Sequence, residues 1–202
     1  MKTFILGLTG TVGSGKTTAG NILASFGAGV ISADNVCKSL YIKNGYLYNE
    51  LIKNFGRDIL GLGDEVDRGK LRDILMTNPK SLAEINAITH DFIINDILNR
   101  IETIKLETKV VVIDVPLLYE TGMDKDTDKV LVITAEKNII QKRLANDRNW
   151  GRGVFEFFLQ NQMSNEEKVK KADYVIENND SIELLKARLK EFWESESQKW
   201  AK

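Results

Sequence analysis

The chain is poor in residues that lock a fold covalently or interrupt it. Among 202 residues there are one cysteine, Cys37, one histidine, His90, and two prolines, Pro79 and Pro116. A single cysteine excludes an internal disulfide framework and fits a reducing compartment. Cys37 itself reads as a small apolar filler on a helix rather than as a reactive thiol. An excess of either charge is also missing: 28 Lys and Arg against 29 Asp and Glu leave a net charge of −1. That balance excludes the overall basic field that attracts nucleic acid or an anionic membrane. No apolar run approaches the ~20 residues of a membrane span. Met1-Lys2-Thr3 passes straight into a strand pattern, which leaves no room for a removable secretory signal. The expectation is a soluble, cytoplasmic protein of one domain, long enough to bury a sizeable core and to carry a small inserted subdomain.

Glycine, by contrast, is concentrated near the N-terminus. Gly10-Thr11-Val12-Gly13-Ser14-Gly15-Lys16-Thr17-Thr18 fills every position of the phosphate-binding pattern G-x-x-x-x-G-K-S/T. The run Phe4-Ile5-Leu6-Gly7-Leu8 before it reads as a buried strand, and Ala19, Ile22, Leu23 and Phe26 after it recur at helical spacing. Strand, glycine loop and helix in that order are the context this motif requires. Gly10, Gly13 and Gly15 let the backbone curl and present N–H groups to phosphate oxygens. The helix beginning near Gly15 adds its positive dipole end. Lys16 supplies a mobile cation for the outer phosphates, and the Thr17 hydroxyl is suited to ligating Mg²⁺. The competing reading is a glycine-rich turn that merely joins strand to helix. The lysine, the hydroxyl and the flanking periodicity together favour a nucleoside triphosphate site, with Gly13, Ser14, Gly15, Lys16, Thr17 and Thr18 on the phosphates.

Further along, Gly29-Val30-Ile31-Ser32 predicts a second strand that ends at Ala33-Asp34. From there to about Leu106 the pattern is mostly helical. Asn35 to Tyr41 is one segment, and Tyr48, Leu51, Ile52 and Phe55 mark a second, closed by Gly56. Asp67 reads as the N-cap of a third, with Leu71, Ile74 and Leu75 on its buried face. Pro79 starts a long stretch that suits one helix or two joined by a kink. The β-branched run Lys109 to Pro116 predicts a central parallel strand covered on both faces. Val130 to Ile133 repeats it, Ala135 to Ala145 reads as helix, Ala172 to Ile176 as a last strand, and Ser181 as the cap of a final amphipathic helix. Alternating strands and helices imply a parallel α/β sheet with crossovers. Asn146 to Asn165 is polar and basic at Arg148 and Arg152, yet carries Trp150, Phe155, Phe157 and Phe158. It reads as a lid or as a solvated loop.

In open parallel sheets ligands sit beyond the C-terminal ends of the strands. The glycine loop, Asp34 and Asp114 all fall there. Asp114 suits metal or water coordination, with the capping of the turn after its strand as the competing reading. Asp34 suits proton acceptance from an acceptor hydroxyl, and equally the capping of the next helix. His90 lies within a helical pattern and reads first as an ordinary hydrogen-bonded helix residue.

The ordered set of segments resembles the dephospho-CoA kinase family. Gly7 to Thr18 is similar to that family's usual GLTGGIGSGKST, and Ile31-Ser32-Ala33-Asp34 to its IDAD. Phe55 to Leu60 and Val66 to Arg72 resemble its FG-x-x-IL and LDR-x-x-LR segments, and Asp114 to Gly122 its DVPLLFETG. Gln162-Met163, Glu166-Glu167-Lys168, Ala172-Asp173 and Val175-Ile176-x-Asn178 match its closing pattern, so the resemblance runs from residue 5 to about 190. It implies a P-loop NTPase three-layer α/β fold with a parallel sheet. The parts would be a core (about 1–34, 107–145 and 170–202), a helical substrate-binding subdomain (about 35–106) and a mobile lid (about 146–169). It implies transfer of the γ-phosphate of ATP, with Mg²⁺, to the ribose 3′-hydroxyl of dephospho-coenzyme A, the last step in making coenzyme A. Asp34 sits at the family's catalytic carboxylate, with Lys16 and Arg143 as the catalytic cations. His90 aligns with the histidine of the family's His-Pro pair, with Asp91 in place of the proline. The resemblance puts His90 at the substrate site with Asp34, Leu117, Tyr119 and Glu120, and leaves the metal to Thr17 and Asp114.

Three departures stand out. Ser32 replaces the first aspartate of IDAD, so one carboxylate of that pair is missing. The family's R-x-x-x-R-D becomes Arg143-Leu144-Ala145-Asn146-Asp147-Arg148, with Arg148 positioned to substitute from one residue further on. Phe158 stands at a further family arginine. A phenyl ring cannot make bidentate phosphate contact, so nucleotide affinity or lid closure is expected to differ from the family norm. The nearest alternative is a related P-loop kinase acting on a nucleoside monophosphate or another small hydroxyl compound. A guanine-nucleotide switch would need an Asn-Lys-x-Asp motif, which the sequence lacks. A non-catalytic nucleotide-bound scaffold is separated from a kinase by the chemistry of Asp34.

Overall fold

The longest β-branched run forms the strand buried most completely. β3 (Val110–Asp114) is buried at all 5 positions. It pairs in parallel with β1 (Phe4–Thr9) on one side and with β2 (Gly29–Ser32) on the other. β4 (Lys129–Thr134) and β5 (Tyr174–Glu177) continue the sheet beyond β1, again in parallel, giving the order β2-β3-β1-β4-β5. This is a computed structural model, and it describes residues 3–148, 152–160 and 162–200. The chain leaves β1 toward β2 on one side and leaves β3 toward β4 on the other. The strand order therefore reverses between β1 and β3, and ligands of open α/β sheets bind beyond the carboxyl ends of strands at such a point.

The parallel sheet of an α/β fold, expected from the alternation of strand and helix patterns, is thus present. Leu6, Leu8, Leu131 and Ile133 pack against Ala19, Ile22 and Leu23 of α1 (Lys16–Ser25). Leu185 and Leu189 of the last helix, Ile182–Trp200, join the same core. An aromatic group seals the far end: Phe4 stacks on Trp200 with centroids 4.3 Å apart, and Phe192 meets both Tyr174 and Trp200 edge-on.

The chain divides into two compact units, residues 33–99 and the remainder. The first holds α2 (Ala33–Leu40), α3 (Tyr46–Phe55), α4 (Arg68–Thr77) and most of α5 (Pro79–Ile104). Its core is Leu47, Tyr48, Leu51, Ile59, Leu60, Leu71 and Ile85. Asp67 caps α4 as its position predicts, its carboxylate accepting from the N–H groups of Gly69 at 2.8 Å and Lys70 at 3.1 Å. The stretch from Pro79 is one helix of 26 residues, not two.

The other unit carries α6 (Lys137–Arg148), α7 (Arg152–Gln160), α8 (Asn165–Lys171) and α9 (Ile182–Trp200). Two of these are not marked by the sequence patterns: α7 lies within the polar stretch Asn146 to Asn165, and α8 begins at its end. α7 shows there Leu159 packed beside Ile140, Leu144 and Val12. α8 has a full capping box: Ser164 Oγ accepts from Glu167 N–H, and the Glu167 carboxylate accepts from Ser164 N–H at 3.1 Å. Ser164-Asn165-Glu166-Glu167 is the sequence signature of that box.

Candidate active site

Two glycines fix the loop between β1 and α1. Gly10 has φ +148°, and a Cβ there would lie 2.1 Å from the Ile133 carbonyl oxygen, so no larger residue fits. Gly15, at the N-cap of α1, has φ +98°, and its Cβ would lie 2.2 Å from Asn178 Nδ2. Within the loop Ser14 N–H donates to the Thr11 carbonyl at 3.1 Å. Lys16 is largely buried and folds back over the loop, its Nζ 3.5 Å from the Thr11 carbonyl oxygen. The hydroxyls of Thr11 and Ser14 are buried and meet no hydrogen-bond partner among the described residues. Thr17 is exposed in the first turn of α1. A left-handed glycine loop, a cation and a helix N-terminus thus converge, the combination that cradles phosphate.

Asp114 ends the adjacent strand, in register with Leu8 of β1 and Ser32 of β2, and is only 5% exposed. The chain after it is tied down at several points. Val115 N–H donates to the Leu8 carbonyl at 3.0 Å. The Pro116 carbonyl accepts from Thr9 Oγ1 at 3.2 Å and from Lys168 Nζ at 2.7 Å. Lys168, on α8, is fully buried and pairs with Glu120 at 3.1 Å; Glu120 also accepts from Met163 N–H at 2.7 Å. Burial lowers the pKa of Lys168, and the Glu120 charge opposes that shift. This clip fixes the turn that carries half-buried Leu117 and Tyr119. The Tyr119 ring lies 5.5 Å from Lys171 Nζ. Its pKa is pushed up to about 12 by burial and by the Asp124 and Asp173 charges.

Arg143 projects from α6, its guanidinium 3.5 Å from both Asn178 Oδ1 and the Asp180 carbonyl oxygen. Asn178 in turn donates from Nδ2 to the Ser14 carbonyl at 2.8 Å. One buried amide therefore joins the glycine loop to Arg143. The side chains of Arg148, Arg152, Phe155 and Phe158, and the whole of Trp150, lie outside the described residues.

In the unit of residues 33–99, α2 begins at Ala33, so Asp34 occupies its first helical turn rather than its cap, and is exposed. A carboxylate there complements the helix dipole. Cys37 follows one turn later. Burial pushes its thiol pKa up against the lowering effect of Tyr41 and Arg68, which suits a protonated filler. Arg68 lies 5.3 Å over the Tyr41 ring. His90 is half-buried in α5; burial pushes its pKa down, with the Asp91 charge opposing.

Of the residues marked out by sequence, Ser14, Gly15 and Arg143 come together through Asn178, Lys16 folds over the same loop, and Asp114 ends the neighbouring strand. Leu117, Tyr119 and Glu120 share one turn. Asp34 and His90 belong to the other unit. Sequence reasoning did not mark Asn178 or Lys168 as site residues; both stand in the quoted closing segments, but nothing in their spacing reveals a buried partner.

The dephospho-CoA kinase family model matches residues 4–183. The chain is similar to the dephospho-CoA kinase of Fusobacterium nucleatum, 38% identical over 195 residues that cover 96% of this chain and 100% of that protein. The dephospho-CoA kinase of Aquifex aeolicus is 35% identical, over 94% of this chain and 95% of its own. Among solved structures, the dephospho-CoA kinase from Campylobacter jejuni superposes with a TM-score of 0.70 at 26% identity, covering 96% of this chain and 97% of that one.

Proposed function

The chain belongs to the dephospho-CoA kinase family, and from that premise we propose how its residues divide the work. The reaction is ATP-dependent phosphorylation of the ribose 3′-hydroxyl of dephospho-coenzyme A, giving coenzyme A and ADP. Phosphoryl transfer leaves little covalent chemistry to the protein; positioning and charge stabilisation supply the catalysis. Gly13 to Thr18 hold the ATP phosphates through backbone N–H groups, with Lys16 on the outer oxygens. Arg143 neutralises charge that develops on the transferring group. Asp34 takes the proton from the incoming hydroxyl and aims it. His90, Leu117 and Tyr119 contact the acceptor, and Glu120 holds the turn that carries Leu117 and Tyr119. Residues 35–106 serve as the acceptor-binding subdomain and about 146–169 as the lid.

Mg²⁺ fits this donor set. Among the described residues no group of three or more His, Cys, Asp or Glu is placed to hold a metal. A divalent ion would therefore rely on the Thr17 hydroxyl, the Asp114 carboxylate and the phosphates themselves, the oxygen-rich, partly hydrated mode that Mg²⁺ prefers. When bound, the ion supplies charge neutralisation at the β- and γ-phosphates. Among the described residues no helix is long and apolar enough to cross a membrane, and we place the reaction in the cytoplasm, where one unpaired cysteine is at home.

The observation that carries this reading is the glycine loop at the strand-order reversal, with Lys16 folded over it. An acceptor panel tests it. With Mg²⁺ and ATP, turnover on dephospho-CoA should exceed that on any nucleoside monophosphate by at least about 100-fold, since a polar site rejects ligands that leave its groups unpaired. Faster turnover on a nucleoside monophosphate would reassign the acceptor.

A further inference from the structure

We propose that Asn178 is a positioning residue that holds the Ser14–Gly15 peptide in the orientation that presents the Gly15 N–H to phosphate. This rests on the reading of residues 10–17 as the ATP-phosphate loop. Asn178 is 6% exposed, and its Nδ2 donates to the Ser14 carbonyl at 2.8 Å. No cis peptide occurs among the described residues, so the bond between Ser14 and Gly15 is trans. In a planar trans peptide the carbonyl and the N–H point in opposite directions. Holding the Ser14 oxygen toward Asn178 therefore turns the Gly15 N–H away from it.

The need for a lock follows from Gly15 itself. Its φ of +98° is a conformation only glycine adopts freely. Glycine populates the opposite sign of φ about as readily, so the backbone alone does not prevent this peptide from turning over. A flip would point the carbonyl oxygen at the phosphates and replace attraction by repulsion. The side chain that blocks a Cβ at Gly15, 2.2 Å from where it would stand, is the one that supplies the missing restraint. Asn178 is well seated for this: its own N–H donates to the Thr134 carbonyl at 2.7 Å, and its Oδ1 faces Arg143 at 3.5 Å. Only the amide's NH₂ end serves the loop, and only its oxygen end serves Arg143.

That division gives the test. Asn178→Asp keeps the size and the acceptor for Arg143 but cannot donate to Ser14. Asn178→Ala removes both ends. Calorimetry with Mg·ATP, steady-state kinetics and melting curves are run on both variants and the wild type. Loss of one charge-assisted phosphate contact is worth on the order of 10- to 100-fold in affinity. Both variants should show ATP affinity weakened by about that factor, with the KM for dephospho-CoA unchanged. Asn178→Asp binding ATP as the wild type does, or both substrates weakening in parallel with the melting temperature, would overturn the proposal. Exchange on the wild-type chain decides the case if neither variant folds: the Asn178 side-chain amide protons should be protected, and the Gly15 amide should shift when Mg·ATP is added. Fast exchange at Asn178 or an unmoved Gly15 signal overturns it. A wild type that binds no ATP would instead reject the phosphate-loop reading.

Discussion

The proposed mechanism gives Asp34 one task, acceptance of a proton from the attacking hydroxyl. Asn in its place keeps the shape and removes the base, so Asp34→Asn should lower kcat by about 10²–10⁴ while Mg·ATP still binds in a calorimeter; a variant that keeps full turnover would deny Asp34 that role. His90 offers a second measurement at this scale, because the chain has no other histidine and its imidazole resonances are unambiguous. Burial lowers its pKa from the ordinary 6.5. Titration by NMR should therefore find the ring neutral at pH 7, with a midpoint below 6.5. The unfolded chain then binds the proton more readily than the folded one. Stability from this residue is complete above pH 6.5 and is lost as pH falls from there through the folded midpoint. A midpoint above 6.5 would contradict the burial seen at α5. Asp34 and Lys16 stood out as candidates because their neighbours in sequence form recognisable patterns. Asn178 did not, because its partners, Ser14 and Arg143, are brought to it only by β5 lying beside β4.

Elements were legible where periodicity is strong and hidden where it is short. β3 and β4 announce themselves by continuous β-branched residues, and α4 by its Asp67 cap. α7, inside the polar stretch Asn146 to Asn165, and the short α8 that follows it did not stand out, although the Ser164 to Glu167 capping box was there to be read. α8 owes its place to Lys168, whose ammonium reaches Pro116 and Glu120 from a fully buried position. The two partners of that pair are not equivalent. Glu120→Ala leaves a buried cation with one neutral acceptor, a loss of about 3 kcal/mol. Lys168→Met removes the buried charge and leaves Glu120, partly exposed and still accepting from Met163 N–H, to be hydrated; about 1 kcal/mol is expected. Urea unfolding of both variants checks the order. A larger loss for Lys168→Met would mean that packing of the aliphatic stem, rather than the buried charge, dominates α8 docking.

At the scale of the whole molecule, a parallel sheet with its strand order reversed between β1 and β3 sets the phosphate loop and Asp114 at neighbouring strand ends. That arrangement serves many P-loop kinases, and the fold alone does not choose an acceptor. The choice rests on the family to which the chain belongs; the turn from Asp114 to Gly122, held by Lys168 and Glu120, is the part of the core proposed to meet the acceptor. The most direct measurement follows the phosphorus. Incubation with Mg²⁺, ATP and dephospho-CoA, read by ³¹P NMR, should yield ADP and one new phosphomonoester in equal amounts, with the ester on the ribose 3′-oxygen. ATP consumed without that ester, or an ester formed at another hydroxyl, would contradict the assignment.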